Sequence, residues 1–214
     1  MPVLQREHIQ QALSSIQGEY ESVFEKLRHL PLAGEPALDV GCSSGYEAIA
    51  IQWFLGIKHV IGIDRDISTA DQFVGALRAD LADGREAVKL ANLPQADREW
   101  WDSRIPQFLK DDRFPEFVQV ELAHPGDLTR AIDTRLFGFA YCSNVLCHIH
   151  ETHGRGGVRT AVDEILNALL PGAWFVAQEP IDKELEYIRE ELSSVAQTLR
   201  VSSNPFKIDY HAQR

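Results

Sequence analysis

The chain has 214 residues, 44% apolar and 25% charged, with 14 Gly and 10 Pro. These proportions exclude a disordered, collagenous or low-complexity protein. No apolar run approaches the roughly 18 residues of a spanning helix, so no membrane association is expected. A formal net charge of −11 with no Lys/Arg-rich segment argues against a polyanionic partner, and no nucleic acid is expected.

Residues 5–29 place Ile9, Leu13, Ile16, Tyr20, Phe24 and Leu27 at steps of three and four, an amphipathic stripe within an N-terminal unit, 1–34. Pro31, Gly34 and Pro36 stop it. Strand and helix then alternate. Strands are predicted at 37–40, 58–63, 117–122, 136–142 and 174–179, with helices at 45–55, 68–82 and 158–170. The last helix carries Leu185, Ile188, Leu192, Val195 and Leu199, and a sixth strand is expected near 205–210. Continuous apolar strands between amphipathic helices give an α/β fold: a doubly wound, mostly parallel sheet of about six strands with helices on both faces. The length suits one domain, 1–214, burying about 70% of the surface its unfolded chain would expose. Residues 83–114 form an insertion between the third helix and strand 3, either a lid over a ligand site or a helical decoration.

Ligands in such sheets sit beyond the carboxyl ends of the strands, at the switch point. That singles out the segment ALDVGCSSGYEAIAI, which runs strand, glycine loop, helix. Gly41 and Gly45 permit left-handed backbone, and the loop N–H groups with the helix N-terminus favour an electron-rich group. Gly41-Cys42-Ser43-Ser44-Gly45 also spells a GxSxG nucleophile elbow, but too few strands precede it for a hydrolase. As a GxGxxG dinucleotide loop it puts Tyr46 at the third glycine, which opposes close helix–strand packing. Cys42, Cys142 and Cys147 show no CxxC pair, and the N-terminus has no leader pattern, so a reducing cytoplasm is expected.

Asp39-x-Gly41-x-x-x-Gly45 resembles motif I of the class I S-adenosylmethionine-dependent methyltransferases, with Ser43 where the family usually has glycine. Further landmarks agree in family order from residue 37 to 180: Asp64 ending strand 2 and followed by Arg65, Gly126-Asp127-Leu128 after strand 3, Tyr141-Cys142-Ser143-Asn144-Val145-Leu146 after strand 4, and the late LLPGAWFVAQEP. The resemblance implies a Rossmann-like sheet that binds S-adenosylmethionine and moves its methyl group to an acceptor, expected to be a small molecule. It implies that Asp39, Gly41, Cys42, Ser43 and Gly45 position the methionine part, that Asp64 with Arg65 meets the ribose, that Asp127 and Leu128 meet the adenine, and that Cys142 lines the site. His148, just past strand 4, is the candidate base, since imidazole titrates near neutrality. His148, His150 and His153 with Glu151 miss the HExxH spacing, so no metal is expected. Two alternatives stay open: a cofactor-binding or partner subunit without transfer, and an NAD(P)-dependent dehydrogenase. The N-terminal helix is open to two uses, covering the pocket or joining a homodimer.

Overall fold

The computed structural model describes residues 16–30, 32, 36–82, 111–132, 136–180, 186–203 and 207–214. A π-helical turn, Ile16–Tyr20, runs into α1 (Glu21–Leu27). Then come β1 (Ala37–Val40), α2 (Tyr46–Leu55), β2 (Val60–Asp64) and α3 (Ser68–Ala82). The chain continues through β3 (Glu116–Gln119), α4 (Asp127–Ile132), β4 (Phe137–Ser143) and α5 (Leu146–Asn167). It ends with β5 (Leu169–Pro180), α6 (Glu186–Val195), β6 (Thr198–Ser203) and β7 (Lys207–Gln213).

The strands form one seven-stranded sheet in the order β3-β2-β1-β4-β5-β7-β6. The first five pair in parallel, while β7 runs antiparallel to β5 and to β6. Strand order reverses between β1 and β4, and this is the switch point. Period-two alternation divides the core in two. Leu38, Val40, Ile61, Ile63, Cys142 and Phe175 face α4, α5 and α6. Ala37, Val60, Phe139, Tyr141, Trp174 and Val176 face α1, α2 and α3. None of the helices among the described residues is long and apolar enough to cross a membrane.

Seven strands replace the six expected. Apolar steps carry the expected last helix to Leu199, but it stops at Val195, and residues 198–203 pair along β7 instead. Thr198, Leu199 and Val201 suit a pleated edge, and tertiary pairing overrides the helical spacing. The insertion 83–114 lies mostly outside the described residues. The helix expected at 158–170 begins at Leu146, because it crosses a break that the sequence reads as a loop.

That break is Gly154, at φ +65° and ψ −169°, a region essentially reserved for glycine. A Cβ there meets nothing within 4 Å, so any penalty is purely conformational. Gly154→Ala is expected to lose about 1–3 kcal/mol, read as a lower melting temperature. Gly156→Ala, also in open space but without positive φ, should be neutral or slightly stabilising. Equal melting of the two variants would refute the strain at Gly154.

Candidate cofactor site at the switch point

A cavity of about 730 Å³ opens at the carboxyl ends of β1, β2 and β4. Its floor is Val40, Gly41 and Ser43, with Ile63 to Arg65 on one side and Ser143 to Val145 on the other. Val120, Glu121 and Leu122 close the β3 edge, the first turns of α5 form a wall, and Tyr20 and Glu47 complete it.

The β1–α2 loop is shaped by left-handed backbone at Gly41 (φ +75°), Ser43 (φ +44°) and Gly45 (φ +78°). Gly41 is obligatory for space as well, since a Cβ would lie 2.2 Å from Val145 Cγ2. Most of the loop's N–H groups are spent within the protein. Those of Gly41 and Cys42 donate to the Ile63 carbonyl at 2.7 and 3.0 Å, and that of Gly45 to Cys42 at 2.6 Å. The Ser43 N–H donates to Asp64 Oδ2 at 2.9 Å. The loop therefore offers close approach rather than the array of N–H donors that its glycines suggest. Tyr46 turns its ring edge-on to Phe73, with centroids 4.8 Å apart.

Asp64 is held at both oxygens, Oδ1 accepting from the Asp66 N–H at 3.2 Å. Asp66 in turn caps α3 through the Ser68 N–H at 2.9 Å, which holds its carboxyl below the usual range. The acid at the end of β2 and the helix cap are thus different residues, fixed in series.

Asp39 is wholly buried, and its carboxylate faces the Ala48 N–H without forming a hydrogen bond of good geometry. Burial, with Glu47 and Asp64 close by, pushes its carboxyl well above the usual range. Glu47, in the first turn of α2, is itself buried. Such a cluster of carboxylates is chemically fitted to a cation, and S-adenosylmethionine carries an ammonium and a sulfonium.

On the opposite wall, the N-terminus of α5 has no side-chain cap of its own. Glu179, buried at the end of β5, accepts from the N–H groups of Leu146 and Cys147 at 3.0 and 3.3 Å. This anchors the helix to the sheet and sets the height of His148. His148 lines the cavity, and its Nδ1 lies 3.0 Å from Glu151 Oε2. The other two histidines diverge. His153 Nε2 reaches Glu121 at 3.6 Å across the cavity edge, and His150 stacks on Tyr187 at 4.0 Å.

Gly41, Ser43, Asp64, Arg65 and His148 thus meet around one cavity, with Asp39 behind Glu47. Gly45 is buried where α2 begins. Cys42 and Cys142 lie beneath the floor, and burial pushes both thiols up. Asp127 and Leu128 stand outside the lining of this cavity. The Asp127 carboxylate accepts from the N–H groups of Ala123 and His124 at 3.2 and 2.7 Å and pairs with Arg130, which keeps its carboxyl low. Leu128 packs into the core. Val120 and Leu122 supply the apolar surface on that side. Tyr20, Glu47 and Glu121 also line the cavity and carry no signal in the sequence, whereas Asn144 lies within the post-β4 resemblance and Glu151 beside the histidines weighed as metal ligands.

No protein-family model matches the chain. It is 28% identical over 192 residues to a probable RNA methyltransferase from Arabidopsis thaliana, covering 78% of this chain and 56% of that protein. The chain therefore spans little more than half the length of that relative. Among solved structures it resembles an rRNA methyltransferase from Streptomyces viridochromogenes, at 14% identity and TM-score 0.59 over 100% of this chain and 86% of the other. It also resembles a ribosomal protein L11 methylase from Lactobacillus delbrueckii, at 12% identity and TM-score 0.55 over 91% and 77%. These likenesses correct the expectation of a small-molecule acceptor with nucleic acid excluded. A net charge of −11 is a whole-chain sum, and it does not describe the local field where an acceptor would enter.

Proposed function

We propose, from the class I S-adenosylmethionine-dependent methyltransferase fold that this chain carries, that it binds S-adenosylmethionine in the switch-point cavity and transfers its methyl group. The observation that carries the reading is Asp39, a fully buried carboxylate flanked by Glu47 and Asp64 beside a cavity at the right strand ends. When bound, S-adenosylmethionine supplies a methyl group already activated by its sulfonium.

The chain's tasks are then to bind, align and exclude water. Asp39 and Glu47 take the ammonium end, with Gly41 and Ser43 allowing close approach. Asp64, pinned by the N–H groups of Ser43 and Asp66, accepts from the paired ribose hydroxyls. Val120 and Leu122 give the base an apolar wall. His148 donates its Nδ1 proton to Glu151, which leaves the Nε2 lone pair to take a proton from the incoming nucleophile.

Calorimetric titration with S-adenosylmethionine, S-adenosylhomocysteine and NAD(H) tests the cofactor. Both sulfur ligands should bind and the nicotinamide should not. Asp64→Ala should weaken binding about tenfold or more, equivalent to about 1.4 kcal/mol. Absence of binding by either sulfur ligand would overturn the proposal. Transfer from labelled cofactor is then assayed on RNA, protein and small-molecule fractions, with RNA first because of the Arabidopsis relative.

A further inference from the structure

We infer that Glu179 is a positioning residue for methyl transfer: as the cap that β5 lends to α5, it holds the His148 imidazole in place at the cavity. The inference rests on the reading of His148 as the base and adds the residue that keeps that base ordered.

The first turn of an α-helix carries N–H groups with no intrahelical partner. In α5 the ladder opens with the Ile149 N–H donating to the Val145 carbonyl at 2.9 Å. Val145, which precedes the helix, gives no side-chain cap. Glu179 fills that role from another element, Oε1 accepting from the Leu146 N–H at 3.0 Å and Oε2 from that of Cys147 at 3.3 Å. The Val145 N–H and the Cys147 thiol face the same carboxylate. Burial pushes this carboxyl up, and those donors pull it back.

The chain leaves β4 through Asn144, at φ +60°, whose N–H donates to the Gln178 carbonyl at 2.8 Å. That backbone bond does not involve the Glu179 side chain, so the turn survives its loss. The rod beyond it is different. Gly154 breaks the helix after residues 146–153, and so short a helix is marginal without outside support. Of these residues only Leu146 and Cys147 are buried, and His150 adds its stack on Tyr187. The bond between His148 Nδ1 and Glu151 Oε2 joins positions three apart, so it exists only while this turn is helical. Glu179 therefore governs, through the helix, which ring nitrogen keeps its lone pair.

Nuclear magnetic resonance of the unliganded full chain with isotope-labelled histidine reads the ring tautomer at about pH 8, above the ordinary imidazole range. In wild type the His148 ring should be a single tautomer with the proton on Nδ1. Glu179→Gln keeps one acceptor and turns an amide NH2 group on the second N–H. It should mix the tautomers and speed amide exchange at Leu146 and Cys147 about fivefold or more. His59, which precedes β2 at the opposite end of the sheet, should keep its wild-type ring signals. Glu179→Asp keeps both acceptors but draws them back by one methylene, so it should fall between the two. A wild-type His148 ring already mixed, or one unchanged in the folded variants, overturns the inference. So do equal changes at His148 and His59, or failure of both variants to fold, since Glu179 would then serve the fold alone. Calorimetric titration of wild type with both sulfur ligands separates the two readings. Binding of S-adenosylhomocysteine with an unchanged ring sinks this inference only. No binding of either ligand sinks the cofactor reading, and the role in transfer with it.

Discussion

Asp39→Asn should raise the melting temperature of the unliganded protein while lowering its affinity for S-adenosylmethionine at least about tenfold. The side chain is fully buried, and its oxygens form no hydrogen bond of good geometry, the Ala48 N–H facing them included. An unsatisfied buried polar group costs about 1–3 kcal/mol and a charged one more. The amide keeps the shape and removes the charge. The gain is expected to grow as pH climbs through the raised value, where wild type must bury a charge and the amide need not.

The pH dependence has a definite sign. Folding raises this carboxyl's pKa, so its favourable contribution is complete below the ordinary carboxylate range. It is lost as pH climbs through the raised value. Unliganded wild type should therefore weaken over that interval, and Asp39→Asn should lose this part of the slope. Thermal melts at several pH values check it. A variant that melts lower than wild type at neutral pH would show that Asp39 has a partner after all.

Gly41→Ala carries the second large effect. Two penalties coincide at this residue: a left-handed φ of +75° and a Cβ placed 2.2 Å from Val145 Cγ2. Valine is stiff about χ1, so Val145 cannot easily turn away. It also sits immediately before the α5 turns that Glu179 holds. Strain of about 1–3 kcal/mol for the backbone combines with a similar overpacking term. A loss of several kcal/mol, or relief by shifting Asn144 and Val145 into the cavity, is expected. Denaturant melts read the first outcome and cofactor titration the second. Wild-type behaviour in both would mean that the loop is looser than its contacts imply.

Much of the sheet was legible in the sequence because its strands are short, apolar on both faces and punctuated by Gly and Pro. Leu38 to Val40, Ile61 to Ile63 and Phe139 to Cys142 need no partner to be read as buried. The antiparallel end was harder. Apolar residues at 192, 195 and 199 keep helical spacing, and only pairing along β7 decides against it. The site divides the same way. Gly41, Ser43 and Asp64 stand at strand ends, where topology alone sends a ligand. Glu47 looks from the sequence like an ordinary acid in a first helical turn, and its burial beside Asp39 is a tertiary fact. Asp127 shows the opposite ambiguity. A carboxylate opening a helix after Pro-Gly is equally suited to a ligand and to its own loop, and here the loop takes it.

The break at Gly154 also bears on how the site can change. Residues 146–153 carry His148, Glu151 and His153 and hang from β5 through Glu179. Residues 155–167 are bound elsewhere: Arg155 pairs with Glu190 and Glu191 of α6, and Val158, Val162 and Ile165 fill the core. An unbroken helix would transmit every rotation of its buried half to His148. With the helical phase interrupted, the two halves are separately fastened rods. Core substitutions can resettle the distal rod without turning the imidazole, and the proximal rod can vary its cavity face without disturbing the core. Stability and the shape of the cavity wall can thus drift independently in the two halves of α5.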